Sequence, residues 1–366
     1  MDPNEQNPSN QAKPVPLVRI RGLKVRFALE DGVARAVRGV DLDIPQGETV
    51  GLVGESGCGK SVTALSLLRL IPDPPGRIVA GQMFYENTDL LTLSDSAMRA
   101  VRGNRISMIF QEPMSSLNPV FTIGNQIMEG IRLHRTRRHG EARAIALDML
   151  RAVGIPNPEQ RLNEYPHQLS GGMRQRAMIA MALACRPGLL IADEPTTALD
   201  VTIQAQILTL LNQLQKDFGM SVLLITHDLG VVAQTTRQVA VMYAGLIVEH
   251  ARTETLFKEP LHPYTVGLFK SIPKLGAHAD RLDAIPGQVP NPAAIPSGCA
   301  FHPRCKHAMD ICRTTVPPLA EHRPGHHAAC HWLAKSATRR ATPAHVRESA
   351  GLGVCESDTT GKTGGL

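Results

Sequence analysis

The sequence lacks any uninterrupted apolar run of about 18 residues, the length that a membrane-spanning helix requires. Its N-terminus, MDPNEQNP, has neither the basic nor the apolar region of a signal peptide. These absences lead us to expect a cytosolic chain that neither spans nor anchors in a membrane. Its seven cysteines would then normally be reduced.

Strong net charge and internal repetition are also missing. The 39 Lys and Arg against 33 Asp and Glu give a net charge of +6, without a long basic run. This charge does not indicate a nucleic-acid partner, and none is expected. The sequence has no repeat of solenoid or propeller period and no sustained heptads. With 366 residues, it is long enough for one large domain of roughly 250 residues and a smaller one.

A glycine-rich stretch matches G-x-x-x-x-G-K-[ST] at every fixed position: Gly54-Glu55-Ser56-Gly57-Cys58-Gly59-Lys60-Ser61. An apolar run of strand length precedes it, and residues 62–70, beginning at Val62, are apolar at helical spacing. Strand, loop and helix form the context that a phosphate-binding loop needs, because its backbone amides must point at the phosphates. Lys60 would contact the β- and γ-phosphates, and the Ser61 hydroxyl would ligate Mg²⁺.

The remaining pattern predicts an α/β fold with a mainly parallel sheet. Alternating residues in 18–20, 23–27 and 40–44 predict antiparallel strands, and residues 77–79 and 82–85 predict a hairpin. A helical region from residue 118 to about 184 interrupts the core, with its clearest amphipathic helix at 143–153. Further core elements are predicted at 106–110, 189–193 and 221–226 as strands and at 201–218 as a helix.

Four polar residues lie at the ends of the predicted core strands, where the active residues of a parallel sheet are expected. They are Asp193, the last residue of its strand, and Gln111, Glu194 and His227, each directly after a strand. Asp193 could hold the Mg²⁺ shell, Glu194 could polarise the attacking water, and His227 could contact the γ-phosphate. The alternatives are a solvated strand end for the two acids and a structural role for the histidine.

A second anion-binding loop is predicted at the start of another helix, at Ser170-Gly171-Gly172. One nucleotide does not need two such loops in one chain. The pattern therefore indicates that Ser170 and the two glycine amides complete the γ-phosphate pocket of a facing subunit.

Together these stretches make the chain resemble the nucleotide-binding subunits of ABC transporters. The resemblance assigns the phosphate loop to 54–61, the Q-loop to Gln111, the signature to 170–172, Walker B to Asp193 with catalytic Glu194, the D-loop to Ala198-Leu199-Asp200 and the switch to His227. It implies ATP hydrolysis, Mg²⁺ held by Ser61, Gln111 and Asp193, and a RecA-like core with antiparallel β and helical subdomains.

Two positions depart from the family pattern. Met173 stands where Gln is commoner after the signature, which leaves Ser170 and the glycine amides unchanged. The adenine-stacking aromatic is not obvious, because Phe27 lies near the expected place but Leu29 occupies a competing position.

Four further stretches resemble the dipeptide and oligopeptide importers: residues 110–119, 262–265, 285–290 and 298–305. This resemblance implies an ATPase at the cytoplasmic face of the membrane, paired with a sister ATPase and two permeases. An extracytoplasmic peptide-binding protein would deliver the substrate. Nickel and glutathione importers share the same C-terminal appendage, so they stay as alternatives. A soluble ABC protein acting on ribosomes or DNA is less favoured, because this chain has one cassette and no long coiled coil.

The expected domain boundaries follow from changes in composition. Residues 1–16 form a disordered lead, 17–262 the nucleotide-binding domain with a helical subdomain at about 113–184, 263–335 the C-terminal domain, and 336–366 a disordered tail. The C-terminal domain contains Cys299, Cys305, Cys312 and Cys330. Unligated thiols, a structural zinc and a 4Fe–4S cluster are the three interpretations. The resemblance favours the 4Fe–4S cluster, in a structural role.

Overall fold

Two β-sheets, with helices packed against them, form the part of the chain that this computed structural model describes, residues 16–111, 116–196, 200–271 and 285–335. The predicted lead up to residue 15, the predicted tail at 336–366 and the D-loop residues Ala198 and Leu199 lie outside the described residues. In the part of the chain that is described, no helix combines the length and apolar character needed to cross a membrane.

The strands in chain order are β1 Val18–Leu29, β2 Gly32–Ile44, β3 Thr49–Val53, β4 Gly76–Tyr85, β5 Thr88–Asp89, β6 Ile106–Ile109, β7 Leu189–Asp193, β8 Ser221–Thr226, β9 Gln238–Tyr243, β10 Leu246–Arg252, β11 Ala320–Arg323 and β12 His326–Ala328. The helices are α1 Lys60–Leu67, α2 Asp95–Val101, α3 Ile123–His134, α4 His139–Ala152, α5 Pro158–Arg161, α6 Gly171–Leu183, α7 Val201–Phe218, α8 Leu229–Thr235, α9 Thr253–Lys258, α10 Pro263–Lys270 and α11 Asp310–Thr314.

The smaller sheet is antiparallel, in the order β2-β1-β4-β5. The hairpin predicted within residues 77–85 was wrong, because β4 is one continuous strand that pairs with β1. Gly81 lies within β4 with a φ of +114°, beside an irregularity in the pairing between Arg21 and Lys24. A glycine of positive φ inside a strand accommodates such an irregularity, and the same residue suggests a turn when only the sequence is read.

The larger sheet has the order β11-β12-β10-β9-β3-β8-β7-β6. Its central strands β6, β7, β8, β3 and β9 are parallel. Strands β3, β7 and β8 are buried throughout, because helices and the smaller sheet cover both faces. The predicted mainly parallel α/β core is thus confirmed, and the carboxyl ends of its parallel strands lie at one edge.

The helical insert lies between β6 and β7, as the sequence predicted. Helix α4 begins at His139, four residues before the predicted start, and buries Ala142, Ala146, Leu147, Met149 and Leu150. These residues join a hydrophobic cluster that also contains residues of α3, α6 and α7. Within the insert, α4 therefore packs with the signature helix α6, and the same cluster continues into α7, which follows Walker B.

The C-terminal region adds to the larger sheet, because β12 pairs with β10 and β11 pairs with β12. A fully buried carboxylate, that of Glu249 in β10, connects this strand to the following C-terminal segments by hydrogen bonds. It accepts hydrogen bonds from the amides of Leu261 at 2.7 Å and His262 at 2.9 Å, and His326 Nε2 lies 2.7 Å away. Burial lowers the pKa of His262 to about 4, so at neutral pH its neutral ring accepts the Tyr264 amide and caps α10.

Candidate nucleotide-binding site

The phosphate loop connects β3 to α1 and is held tightly between neighbouring backbones. Gly54 has a φ of +154° and Gly59 a φ of +109°. A Cβ on Gly59 would lie 2.5 Å from the carbonyl oxygen of Ala36, and one on Gly54 would meet the carbonyl of Met242. Only glycine fits at these two positions, so the loop can pass close to both carbonyls.

Lys60 is the first residue of α1 and is buried. Its ammonium donates hydrogen bonds to the carbonyl oxygens of Gly54 at 2.8 Å and Glu55 at 3.1 Å. The cation is thereby held within the loop, at the end of the helix whose free amides favour anions. This arrangement can bind a phosphate group.

Asp193 is the last residue of β7, and its carboxyl group is buried. The pKa of this carboxyl group is raised, chiefly by burial and also by the charge of neighbouring Glu194. A hydrogen bond from the Ser61 hydroxyl opposes part of that increase. Atom Oδ1 has no hydrogen-bond partner among the described residues. A carboxylate oxygen left without a partner beside a serine hydroxyl fits the oxygen ligands that Mg²⁺ prefers, so these residues suit the predicted ion.

Three of the predicted strand-end residues meet at one carboxylate. The Gln111 amide nitrogen donates to Glu194 Oε2 at 3.1 Å, and His227 Nδ1 lies 3.1 Å from Glu194 Oε1. Glu194 has a φ of +47°, and its amide donates to the Ile225 carbonyl at 2.9 Å. The Glu194 side chain is 12% exposed and that of His227 is 63% exposed. The carboxylate is thus oriented from two sides, next to Asp193.

The predicted second loop lies at the surface. Exposed Ser170 caps α6 by accepting the Met173 amide at 3.4 Å, and Gly171 is also exposed. Asp200 caps α7 by accepting the Ile203 amide at 2.9 Å, and a Cβ on Gly172 would lie 3.2 Å from Ile203. The signature and the end of the D-loop are therefore neighbours.

A buried amide connects the signature helix to the Walker B region. Gln175 of α6 is 1% exposed and donates to the carbonyl oxygen of Pro195 at 2.5 Å. Pro195 directly follows Glu194, so α6 is bonded to the residue beside the predicted base.

The other predicted contacts are less informative. Ser56 and Gly57 are exposed, Cys58 is buried with a pKa raised by that burial, and Val62 packs against the hydrophobic cluster beneath the loop. Phe27 is half-buried against the same cluster and approaches Gly76, whereas Leu29 is exposed. The adenine-stacking role of Phe27 stays a prediction.

Sequence reasoning did not identify two residues that contact the phosphate loop. The Arg304 guanidinium forms a bidentate ion pair with the Glu55 carboxylate, at 2.8 and 3.0 Å. The Tyr264 hydroxyl accepts the Glu55 amide at 2.9 Å. Both residues belong to stretches that suggested the importer resemblance, but nothing in their spacing indicates a partner more than two hundred positions earlier.

The four C-terminal cysteines are free thiols, and among the described residues no group of three or more Cys, His, Asp or Glu side chains is placed to hold a metal ion. The thiols nevertheless lie within electrostatic range of one another. Burial, together with the neighbouring Cys312, Cys330 and Cys305, raises the pKa of Cys299 to about 11. The Cys299 amide also donates to the Cys312 carbonyl at 2.9 Å.

Comparison with known families gives two matches. Residues 37–197 match the ABC transporter family, and residues 248–312 match the oligopeptide/dipeptide transporter C-terminal region. The phosphate loop, Gln111, the signature and Walker B lie in the first range, and Tyr264, Arg304 and three of the four cysteines lie in the second.

Similar proteins include a probable peptide ABC transporter ATP-binding protein of Sinorhizobium fredii, 55% identical, with 86% of this chain and 94% of the relative covered. The oligopeptide transport ATP-binding protein AppD of Bacillus subtilis is 52% identical, covering 86% and 96%. The dipeptide transport ATP-binding protein DppD of Haemophilus influenzae is 49% identical, covering 86% and 95%. Among solved structures, a dimeric ATP-binding cassette bound to ADP and Pi has a TM-score of 0.58 at 27% identity, covering 64% of this chain and 98% of that one.

Replacing Glu194 with Gln tests the role of this carboxylate. Glu194→Gln keeps hydrogen-bonding atoms for Gln111 and His227 but removes the charge that would activate water. We expect steady-state phosphate release to fall by about two orders of magnitude while ATP still binds. The matched control is Glu254→Gln, an exposed glutamate of α9, which should keep wild-type turnover. Near-wild-type hydrolysis by Glu194→Gln would contradict the assignment.

Proposed function

The chain belongs to the family of ABC transporter ATP-binding proteins, and we propose that it hydrolyses ATP to power the uptake of peptides through partner permeases. The observation that carries the proposal is the convergence of Gln111 and His227 on Glu194, beside Asp193 and the phosphate loop. The peptide assignment rests on the names of the relatives and on the match to the oligopeptide/dipeptide C-terminal region.

In this proposal the phosphate loop binds ATP through its amides and Lys60. Ser61, Asp193 and Gln111 would hold Mg²⁺, which supplies charge neutralisation to the phosphates when it is bound. Glu194 orients the attacking water and accepts its proton, and His227 keeps the Glu194 carboxylate directed into the site. Because Glu194 is mostly buried, its charge is little screened by solvent.

The proposed working unit is a dimer of cassettes with nucleotide between them. Ser170 is exposed at the start of α6, and Gly171 is exposed beside it, so both are accessible to a facing subunit. Asp200 lies at the neighbouring start of α7. The partner would be a sister ATPase or a second copy, and the pair would dock on two permeases at the cytoplasmic face of the membrane. Domain closure on ATP would then drive the permeases.

The substrate class is tested in the assembled transporter. We expect the tagged chain to co-purify with integral-membrane permeases, and its ATPase rate in the reconstituted complex to rise when peptide-loaded binding protein is added. The Lys60→Ala variant, which removes the phosphate contact, should assemble but show no stimulation. If nickel or glutathione raised the ATPase rate in the absence of peptide, that solute would replace peptide as the assigned substrate. Association with ribosomes or nucleic acid instead of permeases would contradict the importer assignment.

We propose that residues 263–335 form a C-terminal domain. In it, a 4Fe–4S cluster with a structural role is held by Cys299, Cys305, Cys312 and Cys330. The mutual effect of the thiols on the pKa of Cys299 supports their convergence. Among the described residues no group is placed to hold a metal ion, and this absence favours neither metal over the other. The long sequence gaps between the four cysteines suit the corners of a cluster, which lie farther apart than the ligands of one ion.

Metal analysis distinguishes the alternatives. Anaerobically purified protein should contain about four iron per chain and absorb broadly near 400 nm. Cys312→Ser, which replaces a buried thiol of the group, should lose the iron, whereas Cys185→Ser, a buried thiol outside it, should keep the iron. One zinc per chain would establish the zinc site, and metal-free protein with four titratable thiols would remove both metal proposals.

A further inference from the structure

A negative charge lies within the loop that binds the most negatively charged ligand of this protein. Glu55 is the second residue of the phosphate loop, directly after Gly54, and its side chain is 30% exposed. A free carboxylate there would repel the phosphates, since like charges in a partly desolvated site interact strongly. Nucleotide binding therefore requires the charge of Glu55 to be compensated or directed elsewhere.

Arg304 supplies that compensation from the C-terminal region. Its guanidinium holds both carboxylate oxygens of Glu55, and its side chain is only 5% exposed. The guanidinium Nε donates a hydrogen bond to the Pro286 carbonyl at 2.9 Å. This bond helps to orient the two terminal nitrogens of the guanidinium toward the carboxylate. Burial disfavours its charged form, but the bonds to Glu55 and Tyr243 outweigh that effect and raise the pKa of Arg304. Such a bidentate pair is rigid and directional.

The backbone of Glu55 is held from the same side. Tyr264 is fully buried, and its hydroxyl accepts the Glu55 amide. The Tyr264 ring packs against Tyr243 at a centroid distance of 4.6 Å and against Phe301 at 5.5 Å. Arg304 lies over the Tyr243 and Phe301 rings, at 5.8 and 6.0 Å. One aromatic cluster therefore positions both groups that contact Glu55.

We propose that Arg304 is a positioning residue of the ATP site, which neutralises the Glu55 carboxylate and, together with Tyr264, makes the C-terminal region a structural part of the phosphate loop. The inference rests on ATP binding by that loop and is independent of the transported substrate. It predicts that the importer-type C-terminal region sets nucleotide affinity, in addition to any role of its cysteines.

The competing explanation is that the ion pair only fastens the C-terminal region to the cassette. In that case breaking the pair lowers stability, and folded protein binds nucleotide normally. The charge argument makes a different prediction, because the loss of Arg304 should be harmful only while Glu55 keeps its charge. Removing both charges then separates the two explanations.

The experiment measures the Kd of Mg·ATP for the full-length chain, together with KM and kcat for hydrolysis. We expect Arg304→Met to raise Kd and KM by about tenfold or more with little change in kcat, because an uncompensated carboxylate opposes the phosphates before and during catalysis alike. Adding Glu55→Gln to Arg304→Met should restore Kd to within about threefold of wild type. Arg304→Lys, which keeps the charge but not the fork, should fall between wild type and Arg304→Met.

The matched control is Arg323→Met, which removes another arginine–glutamate pair of the same region, formed with Glu259 and away from the loop. Its Kd should equal that of wild type. An unchanged Kd in Arg304→Met would overturn the inference, as would an equal weakening in Arg304→Met with and without Glu55→Gln. If Arg304→Met does not fold, the Kd of Mg·ATP for Arg304→Lys is the deciding measurement. A wild-type Kd in Arg304→Lys would overturn the proposed bidentate positioning of Glu55. A wild-type chain that binds no nucleotide would instead overturn the ATPase assignment.

Discussion

The phosphate loop depends on close contacts with neighbouring backbones, which hold it in one shape. Gly54 and Gly59 pass so close to the carbonyls of Met242 and Ala36 that no side chain fits. Lys60 bonds the loop from within, and Glu55 is held from outside by Tyr264 and Arg304. A loop of this kind loses little conformational freedom when it binds an anion, because its shape exists beforehand.

The chemistry beside the loop follows from the topology of the larger sheet. Strands β6, β7 and β8 are parallel neighbours, so the residues after them meet at one edge. Gln111, Glu194 and His227 are joined there by hydrogen bonds, and Asp193 lies one residue before Glu194. Burial raises the pKa of Asp193, and a bound cation would act in the opposite direction. Burial makes the charged form of Asp193 less favourable without a cation, and it also strengthens the attraction between this carboxylate and a bound cation.

The sequence predicted local features well, since local chemistry determines them. The phosphate loop and the polar strand ends were readable, because glycine spacing and buried apolar runs carry their own signal. Residues 77–79 and 82–85 suggested a hairpin, but they belong to one strand, β4, in which Gly81 accommodates an irregular pairing with β1. The pair between Glu55 and Arg304 spans 249 positions, and β12 joins β10 across the intervening C-terminal chain. Long-range contacts of this kind depend on packing, which one sequence does not display.

In the proposed arrangement, the C-terminal region holds the phosphate loop in its binding shape before nucleotide arrives. Amide hydrogen exchange of the peptide covering residues 54–61, measured without nucleotide, tests this claim directly. In Tyr264→Phe, which removes only the hydroxyl that accepts the Glu55 amide, the peptide should exchange faster than in wild type, while peptides from α4 stay unchanged. Equal exchange of the loop peptide in both proteins would contradict the account.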